Sequence, residues 1–235
     1  MNSFKHFAII VAAGKGLRMQ SNEKKQYLKL DKVPVLTRTI KKFESHEKIN
    51  DIILVLPGDD RAFCKKHLID PFDFKTSIHL VNGGGTRQES VFYGLEKACE
   101  LSPSFDKTIV LIHDGVRPFI GKSLIDDCIG KAIVNGACIP AVKITDTIKK
   151  VTGEKISKTL DRELLFAAQT PQVFRLDLVL KAFEHARATS FCGTDDASIM
   201  EHAGLPVSIT QGSVTNIKLT TPEDLSLAHS LLNTL

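Results

Sequence analysis

The chain has 235 residues, of which 43% are hydrophobic and 25% charged, and its formal net charge is +4. This composition is ordinary for a soluble globular protein, and the mild charge, without a dense Lys/Arg run, argues against a nucleic-acid partner. No apolar run approaches the roughly 18 residues of a membrane span, so no membrane partner is expected.

The five cysteines are scattered and form no Cys-x-x-Cys pair. Such spacing indicates reduced thiols rather than a disulfide framework or a metal site. The N-terminal apolar stretch is short and leads directly into a glycine loop, which is not the pattern of a signal peptide. We therefore expect a cytoplasmic protein.

Apolar stretches alternate with amphipathic ones, and this alternation predicts an α/β fold with a mostly parallel sheet and helices on both faces. The length suits a single domain, residues 1–235. Strands are predicted at 7–12, 52–56, 78–81, 109–113, 137–142 and 207–210. Helices are predicted at 35–46, 60–68, 88–100, 124–134, 176–187 and 222–232.

The strand at 7–12 runs into a loop that contains Gly14 and Gly16 and is followed by Arg18 and Lys25. Glycines permit a tight turn at the carboxyl end of a strand, where open α/β sheets bind ligands. Exposed backbone N–H groups and nearby cations suit a polyphosphate. The spacing lacks both the third glycine of a dinucleotide fold and the Gly-Lys-Ser/Thr of a P-loop. A plain structural turn is the alternative interpretation.

A second glycine loop, residues 83–85, follows the strand at 78–81 and opens a helix. Three glycines let the backbone approach a flat ligand such as a nucleobase. Ser90 could donate a hydrogen bond to a base carbonyl, and Arg87 adds positive potential at the helix N-terminus. A flexible connecting loop is the alternative.

The sequence His113-Asp114-Gly115-Val116-Arg117 ends the most apolar strand. A carboxylate at this position suits Mg²⁺ held by one or two carboxylates plus substrate phosphates. We expect Asp114 to be this ligand and His113 to be a hydrogen-bonded structural histidine.

Residues 143–162 interrupt the alternation, because they form two β-rich stretches around a turn near Gly153-Glu154. A hairpin of this size is marginal alone, so a second subunit is the expected support. Arg162 could clamp a phosphate with two hydrogen bonds. Residues 169–174 are predicted to form a polar turn, and 194–197 a helix cap.

Together these motifs resemble the 2-C-methyl-D-erythritol 4-phosphate cytidylyltransferases of the non-mevalonate isoprenoid route. The resemblance extends from Ala12 to the Thr220–Leu225 segment. It implies cytidylyl transfer from CTP to methylerythritol phosphate, a Mg²⁺ requirement, and a Rossmann-like, nucleotide-binding, nucleotidyltransferase-type fold with a twisted sheet. It also implies a homodimer that exchanges a protruding β-arm, which matches residues 143–162.

The resemblance assigns roles to the residues that match each motif. Arg18 and Lys25 are expected to neutralise the triphosphate, and Lys218 to act at the reacting phosphates. The nucleotide-binding residues are expected to be Ala12, Ala13, Gly14, Gly16, Gly84 and Ser90. The substrate-binding residues are expected to be Asp114, which also holds the metal, Arg117, Thr170, and the arm residues Thr147 and Arg162.

The chain departs from the family pattern at Lys24, where proline is usual, and at Gly85, where an acid is common. It also has Gly115-Val116 where two alanines are common and Thr215 where aspartate is common. Three rival functions remain. The nearest is a polyol-phosphate cytidylyltransferase acting on ribitol phosphate, although Ala12-Ala13-Gly14 argues against it. The others are a sugar-phosphate nucleotidylyltransferase and a nucleotide-binding regulator without catalysis.

Overall fold

The computed structural model describes residues 4–14 and 24–233. Their strands are β1 Lys5–Val11, β2 Lys29–Leu30, β3 Val33–Pro34, β4 Asp51–Leu56, β5 Ser77–Asn82, β6 Thr108–Asp114, β7 Ala137–Lys143, β8 Lys149–Thr152, β9 Lys155–Thr159, β10 Phe166–Ala168, β11 Gln172–Arg175 and β12 Ser208–Gln211. Their α-helices are α1 Val35–Glu44, α2 Arg61–Cys64, α3 Arg87–Leu101, α4 Lys122–Asn135, α5 Leu176–Ala188, α6 Asp196–His202 and α7 Pro222–Leu232.

A central sheet organises these elements in the order β10-β7-β11-β6-β1-β4-β5, with β12 paired to β7. Strand β1 pairs in parallel with β4 and β6, and β4 pairs in parallel with β5. The predicted α/β fold with a mostly parallel sheet is confirmed. Because the parallel strands share a direction, the loops after β1, β5 and β6 lie at one edge.

The sheet is buried on both faces, which explains why its inner strands are continuously apolar. On one face, Leu36 and Ile40 of α1 and Ile125 of α4 pack on Ala8 and Ile10. The opposite face packs against α3, α5 and α6, through residues that include Leu95, Phe183 and Met200. This two-sided core fixes the strand ends that carry the loops.

One prediction about local structure was wrong, and another was only partly confirmed. Residues 172–174, expected in a polar turn, belong to β11, which lies antiparallel between β6 and β7. Val173 and Phe174 are fully buried on opposite faces, and the sheet therefore overrides the polar character of their neighbours. The helix predicted at 60–68 is α-helical only to Cys64 and continues as a π-helical turn over Lys65–Ile69. Pro71 follows and cannot supply a helical N–H.

The last helix begins as its sequence predicts. The Thr221 hydroxyl accepts a hydrogen bond from the Asp224 amide, and the Asp224 carboxylate accepts from the Thr221 amide. Pro222 occupies the first turn. This reciprocal cap satisfies N–H groups that the helix cannot pair internally.

Strands β8 and β9 form a hairpin outside the central sheet, with Gly153 at its turn in the left-handed region at φ 59°. Every residue of these two strands is exposed, including the apolar Val151 and Ile156. The hairpin therefore has no core of its own. Among the described helices, none combines the length and the apolar character needed to cross a membrane.

Candidate active site

A cavity of about 560 Å³ lies at the edge of the sheet where the loops after β1, β5 and β6 meet. This volume is within the range of small-ligand sites. Three cationic side chains and one carboxylate line it, together with glycine-rich backbone. The lining residues are Val11, Ala12, Ala13, Gly14, Lys25, Gln26, Gly84, Gly85, Thr86, Arg87, Ser90, Asp114, Val116 and Lys218.

Glycine allows the loops to approach one another closely. A Cβ at Gly83 would lie 2.3 Å from the Cβ of Ala13, so a side chain there would push the first and second loops apart. The first loop is also held from the other side, where Gln26 Nε2 donates to the carbonyl of Ala12 at 3.0 Å and to that of Gly14 at 3.3 Å.

The structure brings most of the predicted nucleotide-binding residues to this cavity. Ala12, Ala13, Gly14, Gly84 and Ser90 all line it. The other two predicted residues of the first loop, Gly16 and Arg18, lie outside the described residues. The prediction that they contact phosphate therefore stays a prediction.

Among the described residues that line the cavity, Asp114 is the one with an acidic side chain. Its Oδ2 lies 3.1 Å from Lys218 Nζ and 3.1 Å from Arg117 Nε. Burial opposes ionisation, but Lys218, Arg87 and Arg117 together hold the pKa of Asp114 well below its usual range. The cavity therefore contains an ionised carboxylate surrounded by cations.

Backbone contacts fix the segment that carries Lys218. The amide of Leu219, a buried residue, donates to the carbonyl of Val116 at 3.0 Å. Three residues earlier, the carbonyl of Asn216 accepts from Arg117 Nη1 at 2.8 Å. Arg117 therefore joins the Lys218 segment to Asp114 and does not line the cavity itself, and its predicted contact with substrate stays a prediction.

His113 is a structural histidine, as expected. Its Nε2 lies 3.1 Å from the carbonyl of Arg117 and its Nδ1 lies 2.9 Å from the hydroxyl of Thr170. A carbonyl can only accept, so Nε2 carries the proton and the Thr170 hydroxyl donates to Nδ1. Burial lowers the pKa of His113 to about 4 and keeps the ring neutral.

Two predicted ligand contacts differ from the expectation because their hydroxyl protons are already used. The Thr170 hydroxyl donates to His113, accepts from the Asp114 amide at 3.2 Å, and lies outside the cavity lining. The Ser90 hydroxyl lines the cavity but donates to the carbonyl of Thr86 at 2.8 Å and accepts from the Gly84 amide at 3.1 Å. In this arrangement both residues shape loops rather than donate to a ligand.

Arg87, which was predicted only to add positive potential at the helix N-terminus, lines the cavity. Its Nη1 and Nη2 donate to the two carboxylate oxygens of Asp196 at 2.9 and 2.7 Å, and its Nε lies 3.9 Å from Asp114 Oδ1. Asp196 comes from the segment predicted only as a helix cap. That cap is confirmed, since the neighbouring Asp195 accepts from the Ser198 amide.

The unusual Lys24 has a partner outside the cavity. Its Nζ donates to Asp60 Oδ2 at 2.6 Å, and the hydroxyl of Tyr27 donates to the same oxygen at 2.6 Å. Burial works against ionisation of Asp60, but these two donors hold its pKa below the usual value. Lys24 is therefore paired with Asp60 and does not line the cavity, unlike its neighbour Lys25.

The predicted arm residues do not reach the cavity of their own chain. Thr147 and Arg162 are exposed, neither lines the cavity, and Arg162 Nη1 donates to the carbonyl of Thr145 at 2.7 Å. Within the described part of one chain, the site is thus built from the loops at the sheet edge and the Lys218 segment.

Buried histidines make folding sensitive to mild acid. Burial lowers the pKa of His113, His6 and His46 in the folded chain, so the unfolded chain binds more protons below about pH 6.5. The contribution of these histidines to the free energy of unfolding is fully present above that pH, and it is lost as the pH falls toward their pKa in the folded chain. From His113 alone, we expect the free energy of unfolding to drop by about 2 kcal/mol between about pH 7.5 and pH 5.

Urea titrations of the protein and of His113→Gln at both pH values measure this loss. The variant should show a smaller pH dependence, whereas His67→Gln, at an exposed position, should retain the full one. If His113→Gln showed the same pH dependence as the parent protein, the loss of stability in acid would not come from the lowered pKa of His113.

Comparisons with known proteins give a consistent result. The family described as IspD, 2-C-methyl-D-erythritol 4-phosphate cytidylyltransferase, matches residues 6–234. The enzyme of that name from Alkaliphilus oremlandii is 44% identical over 234 residues, covering 99% of this chain and 97% of its own. The Syntrophotalea carbinolica enzyme is 45% identical over 228 residues, covering 97% and 96%.

Solved structures are similar over the same length. That of 4-diphosphocytidyl-2C-methyl-D-erythritol synthase from Anaerococcus prevotii has a TM-score of 0.83 and 34% identity, covering 99% of this chain and 97% of that one. The 2-C-methyl-D-erythritol 4-phosphate cytidylyltransferase of Francisella tularensis has a TM-score of 0.81 and 31% identity, covering 96% and 99%.

Proposed function

This chain belongs to the IspD family of 2-C-methyl-D-erythritol 4-phosphate cytidylyltransferases, and we propose that the cavity at its sheet edge carries out the family's reaction. The chain transfers a cytidylyl group from CTP to 2-C-methyl-D-erythritol 4-phosphate. The products are 4-diphosphocytidyl-2-C-methyl-D-erythritol and pyrophosphate, in isoprenoid precursor biosynthesis. The comparisons do not support the alternative acceptor, ribitol phosphate.

One observation carries the mechanism: Lys25, Arg87 and Lys218 converge with the ionised Asp114 on glycine-rich backbone. The nucleophile is a phosphate oxygen, which is already anionic near neutral pH and needs no general base. It forms a bond to the α-phosphorus of CTP while the bond to the β-phosphate oxygen breaks. Charge repulsion is the main obstacle, so catalysis rests on positioning and neutralisation.

Each cation has a proposed part in this step. Lys25 and Arg18 neutralise the triphosphate and the departing pyrophosphate. Lys218, whose Nζ is 3.1 Å from Asp114, contacts the reacting phosphates. The backbone of Ala12, Ala13, Gly14 and Gly16 cradles the phosphates.

The base and acceptor ends of the site are also proposed from the predicted residues. Gly84 contacts the cytosine, with Ser90 holding the Gly84 loop in shape through the bond to its amide. Asp114 orients the acceptor, and Arg117 supports it through the hydrogen bond to the Asp114 carboxylate. Thr170 acts behind them through its bonds to His113 and the Asp114 amide.

The residues present fit a Mg²⁺ ion that arrives with CTP. Magnesium is usually held by one or two carboxylates plus substrate phosphates and water, rather than by an all-protein cage. Asp114 is one such carboxylate, and its low pKa keeps it ionised. When bound, the ion supplies neutralisation of phosphate charge; the positioning is done by the side chains of the chain.

We propose that the chain forms one cytidylyltransferase domain with an arm over about residues 143–162, and that two copies exchange these arms. The exposed Val151 and Ile156 on the hairpin and Phe166 on the edge strand β10 support an interface there. Exchange would carry Thr147 and Arg162 to the partner's acceptor phosphate. We place the reaction in the cytoplasm, where thiols such as the five free ones here stay reduced.

Acceptor identity tests the function. Pyrophosphate release is measured with CTP and Mg²⁺, using methylerythritol phosphate and ribitol phosphate in parallel. We expect turnover with methylerythritol phosphate only. Turnover with ribitol phosphate instead would keep the chemistry and move the protein to polyol activation.

Arm exchange predicts complementation between two inactive variants. In a Lys218→Ala and Arg162→Ala mixture, one site of each mixed dimer keeps both residues. Random pairing makes half the dimers mixed, so co-refolding should restore about a quarter of wild-type activity. Mass spectrometry of differently tagged chains verifies that mixed dimers form. Mixed dimers without recovered activity would contradict a shared site.

A further inference from the structure

Asp196 is a buried carboxylate that the proposed mechanism does not use. Its side chain is 0% exposed, and both of its oxygens accept from the terminal nitrogens of Arg87, at 2.9 and 2.7 Å. Fork-shaped pairing of this kind fixes the plane of a guanidinium as well as its position. Asp196 is absent from the cavity lining, whereas Arg87 belongs to it.

Hydrogen bonds hold the segment around Asp196 in place. The Asp195 carboxylate caps α6 and also accepts from Gln172 Nε2 at 2.7 Å, while the Ala197 amide donates to Gln172 Oε1 at 2.9 Å. Gln172 is a buried residue of β11. The start of α6, which carries Asp196, is therefore hydrogen-bonded to the central sheet. Because Arg87 pairs with Asp196, the position of its guanidinium is restrained as well.

Arg87 is placed between two carboxylates. It makes two hydrogen bonds to Asp196, and its Nε remains 3.9 Å from Asp114 Oδ1, beyond hydrogen-bond distance. Asp114 already has Lys218 and Arg117 at 3.1 Å. Without Asp196, the carboxylate within reach of Arg87 is that of Asp114. A third cation close to Asp114 would then occupy the carboxylate that the proposed mechanism uses for the substrates.

We propose that Asp196 is a positioning residue. It keeps Arg87 from pairing closely with Asp114, and it fixes the Arg87 guanidinium in the cavity as a cation that contacts the nucleotide. The assignment rests on the proposed function. The cavity places Arg87 beside both Gly84 of the base loop and Asp114 of the phosphate end. A guanidinium at that point serves the α-phosphate, which lies between the nucleoside and the rest of the triphosphate.

Asp196→Asn tests the proposal, with Glu201→Gln, at an exposed position of the same helix, as the control. The control removes one negative charge from α6 and leaves both the Arg87 fork and the Asp195–Gln172 bond intact. We expect Asp196→Asn to weaken CTP binding, measured by calorimetry without acceptor, and kcat/KM for CTP, each by about 10- to 100-fold. Glu201→Gln should stay within about threefold of the parent protein.

A double-mutant cycle separates positioning from a structural role. If Asp196 acts through Arg87, then Arg87→Gln and Arg87→Gln/Asp196→Asn should bind CTP with dissociation constants within about threefold of each other. Independent losses that multiply would overturn the proposal, as would Asp196→Asn binding CTP like its control. A merely structural Asp196 would lower the melting temperature and leave CTP affinity of the folded protein unchanged.

Arg87→Lys provides a route that keeps both charges if Asp196→Asn does not fold. Lysine can pair with Asp196 at one point but cannot form the fork, so we expect weaker CTP binding at a similar melting temperature. Unchanged binding would overturn the proposal. The calorimetry uses CTP alone, and it therefore reports on Arg87 and Asp196 even if the parent protein fails to use methylerythritol phosphate, which would contradict only the proposed function.

Discussion

Lys218→Met should lower kcat/KM by about 10²- to 10³-fold, the usual cost of removing one preorganised contact to developing charge. Methionine keeps much of the apolar length of lysine and removes the ammonium that lies 3.1 Å from Asp114. The Lys218 side chain is 37% exposed, and the buried Asp114 keeps Arg117 at 3.1 Å when the ammonium is removed. The melting temperature should therefore change little while activity falls.

Lys97→Met is the control for Lys218→Met. Lys97 lies on α3, away from the cavity lining, and pairs with Glu100 three residues later. Pyrophosphate release under saturating and limiting CTP measures both variants. Near-parental kcat/KM in Lys218→Met would contradict the role of this ammonium at the reacting phosphates.

Asp114→Asn should also cost about 10²- to 10³-fold in kcat/KM. Asparagine has nearly the same shape but no charge, so Lys218 and Arg117 lose their shared counter-ion at 3.1 Å. The variant also lacks the carboxylate that fits Mg²⁺. Because Asp114 is almost fully buried, we expect the free energy of unfolding to fall by about 1–3 kcal/mol as well.

Asp127→Asn, at an exposed position of α4, controls for the loss of one negative charge. Both variants are measured at saturating Mg²⁺ and then across a Mg²⁺ titration. The account predicts that excess Mg²⁺ fails to restore Asp114→Asn. Full recovery at high Mg²⁺, with parental kcat/KM, would contradict a direct part for this carboxylate.

The sequence predicted the sheet well because its parallel strands are buried on both faces and therefore read as unbroken apolar runs. The strand predicted at 109–113 is Thr108–Asp114 in the structure, and that predicted at 52–56 is Asp51–Leu56. Strand β11 was missed because only two of its residues, Val173 and Phe174, are apolar. Its place between β6 and β7 depends on long-range pairing that no local pattern encodes.

The sequence predicts a site formed by strand-end loops, since glycines and charged residues cluster there. The Arg87–Asp196 pair was not foreseen, because 109 positions separate its members. Asp196 resembles an ordinary first-turn acid, and its link to the cavity depends on how the start of α6 comes to lie beside the start of α3. The directions of two hydroxyl groups were equally impossible to predict. Nothing in the sequence shows that Ser90 donates its hydroxyl proton to the Thr86 carbonyl and Thr170 donates its own to His113.

The central claim is that a phosphate oxygen of the acceptor attacks the α-phosphorus of CTP in this cavity. The most direct measurement is mass spectrometry of the products formed from CTP, Mg²⁺ and methylerythritol phosphate whose phosphate carries oxygen-18. The account predicts that all label appears in 4-diphosphocytidyl-2-C-methyl-D-erythritol and that the pyrophosphate is unlabelled. Labelled pyrophosphate, release of CMP, or no turnover would contradict it.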